Sequence, residues 1–187
     1  MNVWHDISAH RIQPRDFFAV IEITKGSKNK YEMDKETGML MLDRILYTAT
    51  HYPANYGFIP RTYSEDGDPL DVLVLCSEPL QTRSLVRCAP IGVLSMLDEN
   101  FQDHKIIAVP MNDPIYNTYT SVTELPQHVS DEMLHFFSVY KTLEGKVTAI
   151  NTVRDVDEAV RIIEEDMETY RLKRMAGEFT EARRINP

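Results

Sequence analysis

The sequence predicts a mainly β protein with α-helices, an α+β fold in which a barrel or sandwich of short strands precedes a helical C-terminal part. Two observations predict this class. Segments rich in β-branched and aromatic residues, separated by turns, fill the first two-thirds of the 187-residue chain, as in barrels and sandwiches. Two stretches in which apolar residues recur at helical spacing fill the last third.

The strand predictions rest on short apolar runs bounded by turn residues. The first run, 17–23, contains an embedded acidic residue, Glu22. Segments 30–34 and 39–44 flank Glu36-Thr-Gly38, which is typical of a hairpin turn with glycine at the positive-φ position. Further strands are predicted at 72–76, 84–96 and 105–109.

The helix predictions rest on periodicity and on glycines that end each pattern. The first helix is predicted from Val129, Met133, Phe136, Phe137 and Tyr140, and its pattern ends at Gly145. The second is predicted from Val156, Val160, Ile163, Met167 and Tyr170, with Gly177 as its stop. The polar residues 178–187 are expected to be loosely held.

Composition excludes several functional classes. The chain has 29 acidic residues against 20 lysines and arginines, a formal charge of −9, so its field disfavours nucleic acid and anionic membranes as partners. No apolar run approaches a transmembrane helix, and the N-terminus does not resemble a secretory signal. Cys76 and Cys88 lie in apolar stretches, which predicts two buried free thiols in a cytoplasmic protein.

The most informative segment is Glu65-Asp-Gly-Asp-Pro-Leu-Asp71. It places Asp66, Asp68 and Asp71 within six residues, and the intervening glycine and proline force a turn. A solvated acidic turn is the simplest interpretation. A divalent cation site is the alternative, because crowded carboxylates next to an apolar strand need a cation. An EF-hand loop is excluded, since its sixth position would be Asp71 rather than glycine.

A second acidic group, Asp98-Glu99-Asn-Phe-Gln-Asp103-His-Lys105, joins two predicted strands. Asp103 and Lys105 are two residues apart and therefore share a face if the second strand has begun. A polar hairpin loop remains an open interpretation. Two such clusters at the ends of buried strands could also converge on one multi-metal centre.

A third group is cationic and phenolic. It comprises Lys30 and Glu32 on one strand face, Arg44, Tyr52 and Tyr56 around Pro53, and Tyr140-Lys141 late in the first helix. Taken singly, these are ordinary solvated or half-buried side chains. Together they supply the bidentate, point-charge and neutral donors that a phosphate site requires.

Taken together, these segments resemble the family I soluble inorganic pyrophosphatases of the short bacterial type. The motifs occur in one order: Val20-Ile-Glu22-Ile, Lys30-Tyr-Glu32-Met-Asp34-Lys, Asp43-Arg44, Tyr52-Pro-Ala-Asn-Tyr56-Gly, Asp66-Gly-Asp68-Pro-Leu-Asp71-Val, Asp98-Glu99 with Asp103 and Lys105, Val109-Pro110, and His135-Phe-Phe-Ser-Val-Tyr140-Lys141. The resemblance implies a small closed five-stranded OB-like β-barrel with two packed helices. It implies one domain over 1–187, with the barrel at about 17–110 and the helical part at about 125–177.

The resemblance also implies metal-dependent hydrolysis of pyrophosphate to two orthophosphates by a metal-activated water. Mg²⁺ would be the cofactor, several ions per site, with Mn²⁺ or Zn²⁺ as substitutes. By position, Asp68 would be the catalytic base. The metal ligands would be Asp66, Asp71, Asp98, Asp103 and Glu22. The phosphate contacts would be Lys30, Arg44, Tyr56, Lys105, Tyr140 and Lys141, with Glu32, Tyr52 and Glu99 in support.

The sequence departs from the family after Lys146, where it reads Val147-Thr-Ala-Ile-Asn151 instead of an aromatic, lysine-containing strand. The resemblance therefore assigns no site residue in this segment. Segment 111–119 also diverges. A homohexamer is expected from the resemblance to short bacterial members.

Three other functions stay open at this stage. One is a Mg²⁺-dependent phosphohydrolase of a larger diphosphate such as a nucleotide. Another is an OB-type barrel that binds single-stranded nucleic acid, which the negative charge disfavours. The last is an inactive family member, although every expected carboxylate is present.

Overall fold

The computed structural model describes residues 2–34, 37–98, 101–146 and 148–179. Over these residues the chain forms nine strands: β1 Ile12–Gln13, β2 Asp16–Ile23, β3 Asn29–Met33, β4 Leu40–Ile45, β5 Asn55–Phe58, β6 Asp71–Val74, β7 Leu85–Asp98, β8 Phe101–Pro110 and β9 Thr148–Asp155. It also forms two α-helices, α1 Gln127–Val139 and α2 Val156–Met175. Four short 3₁₀ turns lie at Ala9–Arg11, Tyr116–Thr118, Val122–Glu124 and Thr142–Glu144.

Five strands close into a barrel. The pairs β2–β5, β5–β6, β8–β7 and β7–β2 are antiparallel, while β6–β8 is parallel. Because β7 pairs with both β8 and β2, the ring has no free edge, which removes the open strand edge that promotes aggregation. The predicted fold class, a closed five-stranded barrel with two helices, is confirmed. Strand β9 extends the sheet from β7, and β3 and β4 form a separate hairpin.

The predicted strands overlap those observed, with ends displaced by up to four residues. Three observed strands were not assigned from the sequence: the two-residue β1, β5 and β9. Strand β5, Asn-Tyr-Gly-Phe, contains residues of low strand propensity and forms because β2 and β6 hold it on both sides. Strand β9 lies in the segment where the sequence departs from the family, and it pairs with β7 from Gly92 to Asp98.

Alternate residues of the barrel strands face two apolar clusters. Leu73 and Ile107 belong to a cluster that packs against α1 through Met133, Phe136 and Phe137. Val72, Val74 and Ile106 belong to the other, which packs against α2 through Ala159, Ile162 and Ile163. This alternation is the period-two pattern of a strand with both faces covered. The barrel therefore holds one helix against each face.

Both helices follow the predicted apolar spacing. Helix α1 ends at Val139, and the following 3₁₀ turn ends at Gly145, whose φ is +75°. Helix α2 is capped at its N-terminus by Asp155, whose side chain accepts a hydrogen bond from the Val156 N–H, and it ends two residues before Gly177. In the described part of the chain, no helix is sufficiently long and apolar to cross a membrane. Cys76 and Cys88 are buried free thiols, as predicted.

The beginning of the C-terminal tail is ordered, contrary to the expectation. The ring of Phe179 packs against Trp4, with ring centroids 5.5 Å apart, and against Tyr170 at 5.2 Å. The polar composition of the tail concealed this single aromatic anchor. Residues 180–187, the remainder of the tail, lie outside the described residues.

Gly57 allows β2 and β5 to approach closely. A Cβ at this position would lie 1.8 Å from the carbonyl oxygen of Val20, a main-chain atom that cannot rotate away. We expect Gly57→Ala to lower the free energy of unfolding by about 3 kcal/mol, at the top of the range for overpacked cores. Urea denaturation measures this. Gly26→Ala is the control, because Gly26 has open space at φ +83° and should cost only about 1 kcal/mol of backbone strain. Equal losses in both variants would contradict the steric argument.

Candidate active site

A cleft of about 280 Å³ lies between the barrel, the β3–β4 hairpin and the end of α1. It collects most of the side chains that the sequence analysis singled out. Those lining it are Glu22, Lys30, Glu32, Tyr56, Asp66, Asp68, Asp71, Asp103, Lys105, Tyr140 and Lys141, and they are joined by Tyr31, Met33, Phe58 and Pro69. Residues far apart in sequence thus form one polar site.

Lys105 lies at the centre of the cleft and is only 2% exposed. Its Nζ lies 2.8 Å from Asp71 Oδ2, 2.9 Å from Asp103 Oδ1 and 3.0 Å from the Tyr56 hydroxyl. Strand pairing explains the arrangement. The parallel β6–β8 register sets Asp71 opposite Lys105, and the two-residue period of β8 turns Asp103 to the same face. The two acidic groups therefore converge, as one of the two interpretations predicted.

The buried charges shift one another's protonation. Burial disfavours the Lys105 ammonium, but Asp103 and Asp71 outweigh that effect and hold the pKa of Lys105 well above its usual range. Burial raises the pKa of Asp71 to about 6, against the opposing effect of Lys105. Burial and then the Asp71 charge raise the pKa of Glu22 to about 8, although the Met33 N–H donates to Glu22 at 2.7 Å. The cleft is short of positive charge.

The acidic turn is closed by main-chain hydrogen bonds. Ser64 N–H donates to the Asp68 carbonyl at 2.8 Å, and Gly67 N–H donates to the Ser64 carbonyl at 3.0 Å. Asp68 N–H donates to Asp66 Oδ1 at 3.0 Å, and Gly67 adopts φ +88°. Partial loss of solvent raises the pKa of Asp66, and the Asp68 and Asp103 carboxylates add to the rise. The turn presents both carboxylates to the cleft.

The donor set suits a hard divalent cation, since it consists of carboxylate oxygens. Within the described ranges, no three acidic, histidine or cysteine side chains converge tightly enough to enclose an ion. At the centre of the site, the Lys105 ammonium lies between Asp71 and Asp103. Burial is the main cause of the raised pKa values of Glu22 and Asp71, and a bound cation would favour the ionised form of both carboxylates.

Of the predicted site residues whose side chains the structure describes, Arg44 and Tyr52 do not line the cleft. Arg44 is turned to Glu144, with its Nε 3.0 Å from the carboxylate, and also pairs with Asp43. Tyr52 is buried behind Tyr56, with ring centroids 5.3 Å apart. Asp98 ends β7, where its main chain pairs with Phe101. Glu99 lies outside the described residues.

Sequence reasoning missed the contact between α2 and the acidic turn. Asp166 accepts a hydrogen bond from the Ser64 hydroxyl through Oδ2, and its main-chain carbonyl accepts one from Tyr63 N–H at 3.0 Å. The partners are 102 residues apart. No local signal reveals such a pair, because an aspartate on the polar side of a helical pattern ordinarily indicates a solvated surface.

Asp166 makes the stability depend on pH. Burial raises its pKa from 3.8 to about 6, and nearby carboxylates add to this against the Ser64 hydrogen bond. Because the folded protein holds this proton more tightly, the contribution of Asp166 is full at low pH and falls as pH rises from about 4 to 6. We expect the stability of Asp166→Asn relative to wild type to increase by about 1–3 kcal/mol between about pH 4 and 7. Urea titrations measure it, and a difference that stays constant with pH would contradict the prediction.

Comparison with known proteins identifies the family. The inorganic pyrophosphatase family model matches residues 19–171. The chain is 47% identical over 167 residues to soluble inorganic pyrophosphatase 1 of Arabidopsis thaliana, covering 89% of this chain and 79% of that protein. It is 44% identical to the inorganic pyrophosphatase of Aquifex pyrophilus, covering 90% and 97%. The crystal structure of the Thermus thermophilus inorganic pyrophosphatase superposes with a TM-score of 0.87 at 37% identity, covering 91% and 99%. With its closed barrel and its acidic cleft, this chain belongs to the inorganic pyrophosphatase family.

Proposed function

We propose that the chain hydrolyses inorganic pyrophosphate to two orthophosphates, with Mg²⁺ as the metal. The observation that carries the proposal is the convergence of Asp71 and Asp103 on Lys105 in a cleft that also holds Asp66, Asp68 and further lysines. Family membership supports the same reaction. A substrate with this density of negative charge needs cations, and the carboxylates of the cleft are placed to recruit them.

The carboxylates divide into two roles in this proposal. Asp66, Asp71 and Asp103, with Asp98 and Glu22, would hold Mg²⁺. When bound, the metal would supply charge neutralisation and a water of lowered pKa. Asp68 would orient the attacking water and accept its proton on a carboxylate oxygen. The acidic turn supports this division, because main-chain hydrogen bonds hold Asp68 at the cleft, where its carboxylate would be available to a bound water.

The phosphate contacts would come from the other side chains of the cleft. Lys30, Lys105 and Lys141 supply point charges, and Tyr56 and Tyr140 supply hydroxyl donors. Burial raises the pKa of Tyr56 well above its usual range, so its phenol stays protonated and can donate. Arg44 would have to exchange Glu144 or Asp43 for a phosphate oxygen. Glu32, Tyr52 and Glu99 would support these groups.

The remaining expectations belong to the same proposal. Mn²⁺ or Zn²⁺ would substitute for Mg²⁺, because they also accept carboxylate oxygens. The chain would act as one domain in the cytoplasm, assemble as a homohexamer and bind neither nucleic acid nor membrane. The family match over residues 19–171 and the charge of −9 support these statements. Analytical ultracentrifugation tests the assembly.

Phosphate release tests the reaction. We expect release from pyrophosphate with Mg²⁺, none with excess chelator, and little release from ATP at equal concentration. Preferential release from ATP would replace the proposal with the nucleotide phosphohydrolase. Release from neither substrate, by a folded protein that binds Mg²⁺, would identify an inactive family member.

A further inference from the structure

Helix α2 contacts the acidic turn at Asp166. The main-chain carbonyl and the carboxylate of Asp166 each accept a hydrogen bond from the chain that enters the turn. Its main-chain carbonyl accepts Tyr63 N–H at 3.0 Å, and its carboxylate accepts the Ser64 hydroxyl. The bonds go to adjacent residues, so they set both the position and the rotation of the chain at Ser64.

Ser64 in turn closes the acidic turn with its main chain. Its N–H donates to the Asp68 carbonyl, and its carbonyl accepts from Gly67 N–H. A displacement of Ser64 must therefore move Asp68. Asp66 would follow, because its carboxylate accepts from Asp68 N–H. A continuous set of hydrogen bonds runs from α2 through Ser64 to the main chain of Asp68 and on to the Asp66 carboxylate.

Other contacts hold α2 and the preceding chain independently of Asp166. Trp4 Nε1 donates to the Thr62 carbonyl at 2.9 Å, and Lys173 Nζ lies 4.7 Å from the centre of the Tyr63 ring. The Tyr63 and Phe179 ring centroids are 5.9 Å apart. Loss of the Asp166 carboxylate should therefore leave the helix docked. The effect of its loss should be confined to the turn.

Asp166 is placed unfavourably for a residue that serves only stability. It is half-buried, and the charges that raise its pKa are the carboxylates of Asp66, Glu165 and Glu65. Removing the charge of Asp166 should relieve its repulsion by these carboxylates and so stabilise the fold at neutral pH. The hydrogen bond from the Ser64 hydroxyl to the Asp166 carboxylate offsets this repulsion.

From this geometry we propose that Asp166 is a positioning residue, which sets the orientation of Asp66 and Asp68 through Ser64. The inference rests on the proposed function for its catalytic consequence. The expected effect on metal binding rests only on the position of Asp66 in the acidic turn. Asp166 does not line the cleft, and it would act on the site through Ser64.

The test compares Asp166→Ala, Ser64→Ala, the double variant and Asp166→Asn, with Glu168→Ala as control. Glu168 is exposed on the same helix and pairs with Arg171. Calorimetry measures Mn²⁺ binding, phosphate release measures kcat and KM, and thermal unfolding reports stability. We expect each alanine variant to weaken Mn²⁺ binding and lower kcat by about tenfold, as for lost support of metal ligands. KM should change little.

Comparing the single and double alanine variants, and testing rescue by Asp166→Asn, distinguishes a positioning role of Asp166 from a purely structural one. The double variant should lose no more Mn²⁺ affinity or kcat than either single variant, because both substitutions remove the same hydrogen bond. Asp166→Asn keeps an acceptor for Ser64 and should stay within about threefold of wild type, as should Glu168→Ala. Additive losses, or a lower Tm with unchanged Mn²⁺ affinity and kcat, would overturn the inference. If the wild type binds Mn²⁺ but releases no phosphate, the proposed function fails, and the Mn²⁺ affinities alone decide for or against Asp166.

Discussion

Asp68→Asn is expected to lower kcat for pyrophosphate hydrolysis by about 10²–10⁴, the usual contribution of a positioned general base. Asparagine has the same shape but cannot accept the proton at neutral pH. The hydrogen bonds that close the turn, from the Ser64 N–H to the Asp68 carbonyl and from the Asp68 N–H to the Asp66 carboxylate, do not involve the Asp68 carboxylate. The turn should therefore persist, and the free energy of unfolding should change by less than about 0.5 kcal/mol.

The measurement is steady-state phosphate release at saturating Mg²⁺, so that weaker metal binding does not imitate a loss of the base. Asp131→Asn is the matched control. Asp131 is exposed on α1 and accepts from Gln127 at 2.9 Å, remote from the cleft lining, and its variant should retain the wild-type kcat. If Asp68→Asn kept more than about a third of wild-type kcat, far above the loss expected for a base, the role of Asp68 would pass to another group.

Lys105→Met is expected to destabilise the metal-free protein by about 3–5 kcal/mol, the cost of leaving one partner of a buried ion pair uncompensated. Methionine fills a similar volume, so the loss is electrostatic. Two carboxylates depend on this ammonium, Asp71 at 2.8 Å and Asp103 at 2.9 Å. Both would then face each other in a cleft where the pKa of Asp71 is already raised to about 6.

The same reasoning predicts a rescue. Mg²⁺ that binds the folded but not the unfolded chain adds stability in proportion to the logarithm of its concentration. We therefore expect Mg²⁺ to restore part of the stability of Lys105→Met, although hydrolysis should remain impaired because a phosphate contact is lost. Urea denaturation with chelator and with Mg²⁺ measures both effects. Lys25→Met, at an exposed position, is the control and should change stability by less than about 0.5 kcal/mol. Equal stability losses in the two variants would contradict the central role of Lys105.

The sequence alone determined what depends on local chemistry. Glycine and proline between three aspartates predict the acidic turn, and helical spacing predicts the faces that α1 and α2 bury. The run 105–109 predicts a strand, and Asp103 shares a face with Lys105 if that strand begins earlier; β8 begins at Phe101, and both side chains line one cleft. Each of these features is encoded within a single stretch of neighbouring residues, so the sequence carries it directly.

The tertiary structure decided everything that depends on which distant segments meet. Asp71 lies on Lys105 because β6 and β8 pair in parallel across 34 residues. Strand β5 exists because two neighbours hold it, and Gly57 matters because Val20 approaches it. Arg44 lies against Glu144, and Asp166 against Ser64, across 100 and 102 residues. Such pairs are set by the competition of all possible packings for the same surfaces, and no local pattern contains that information.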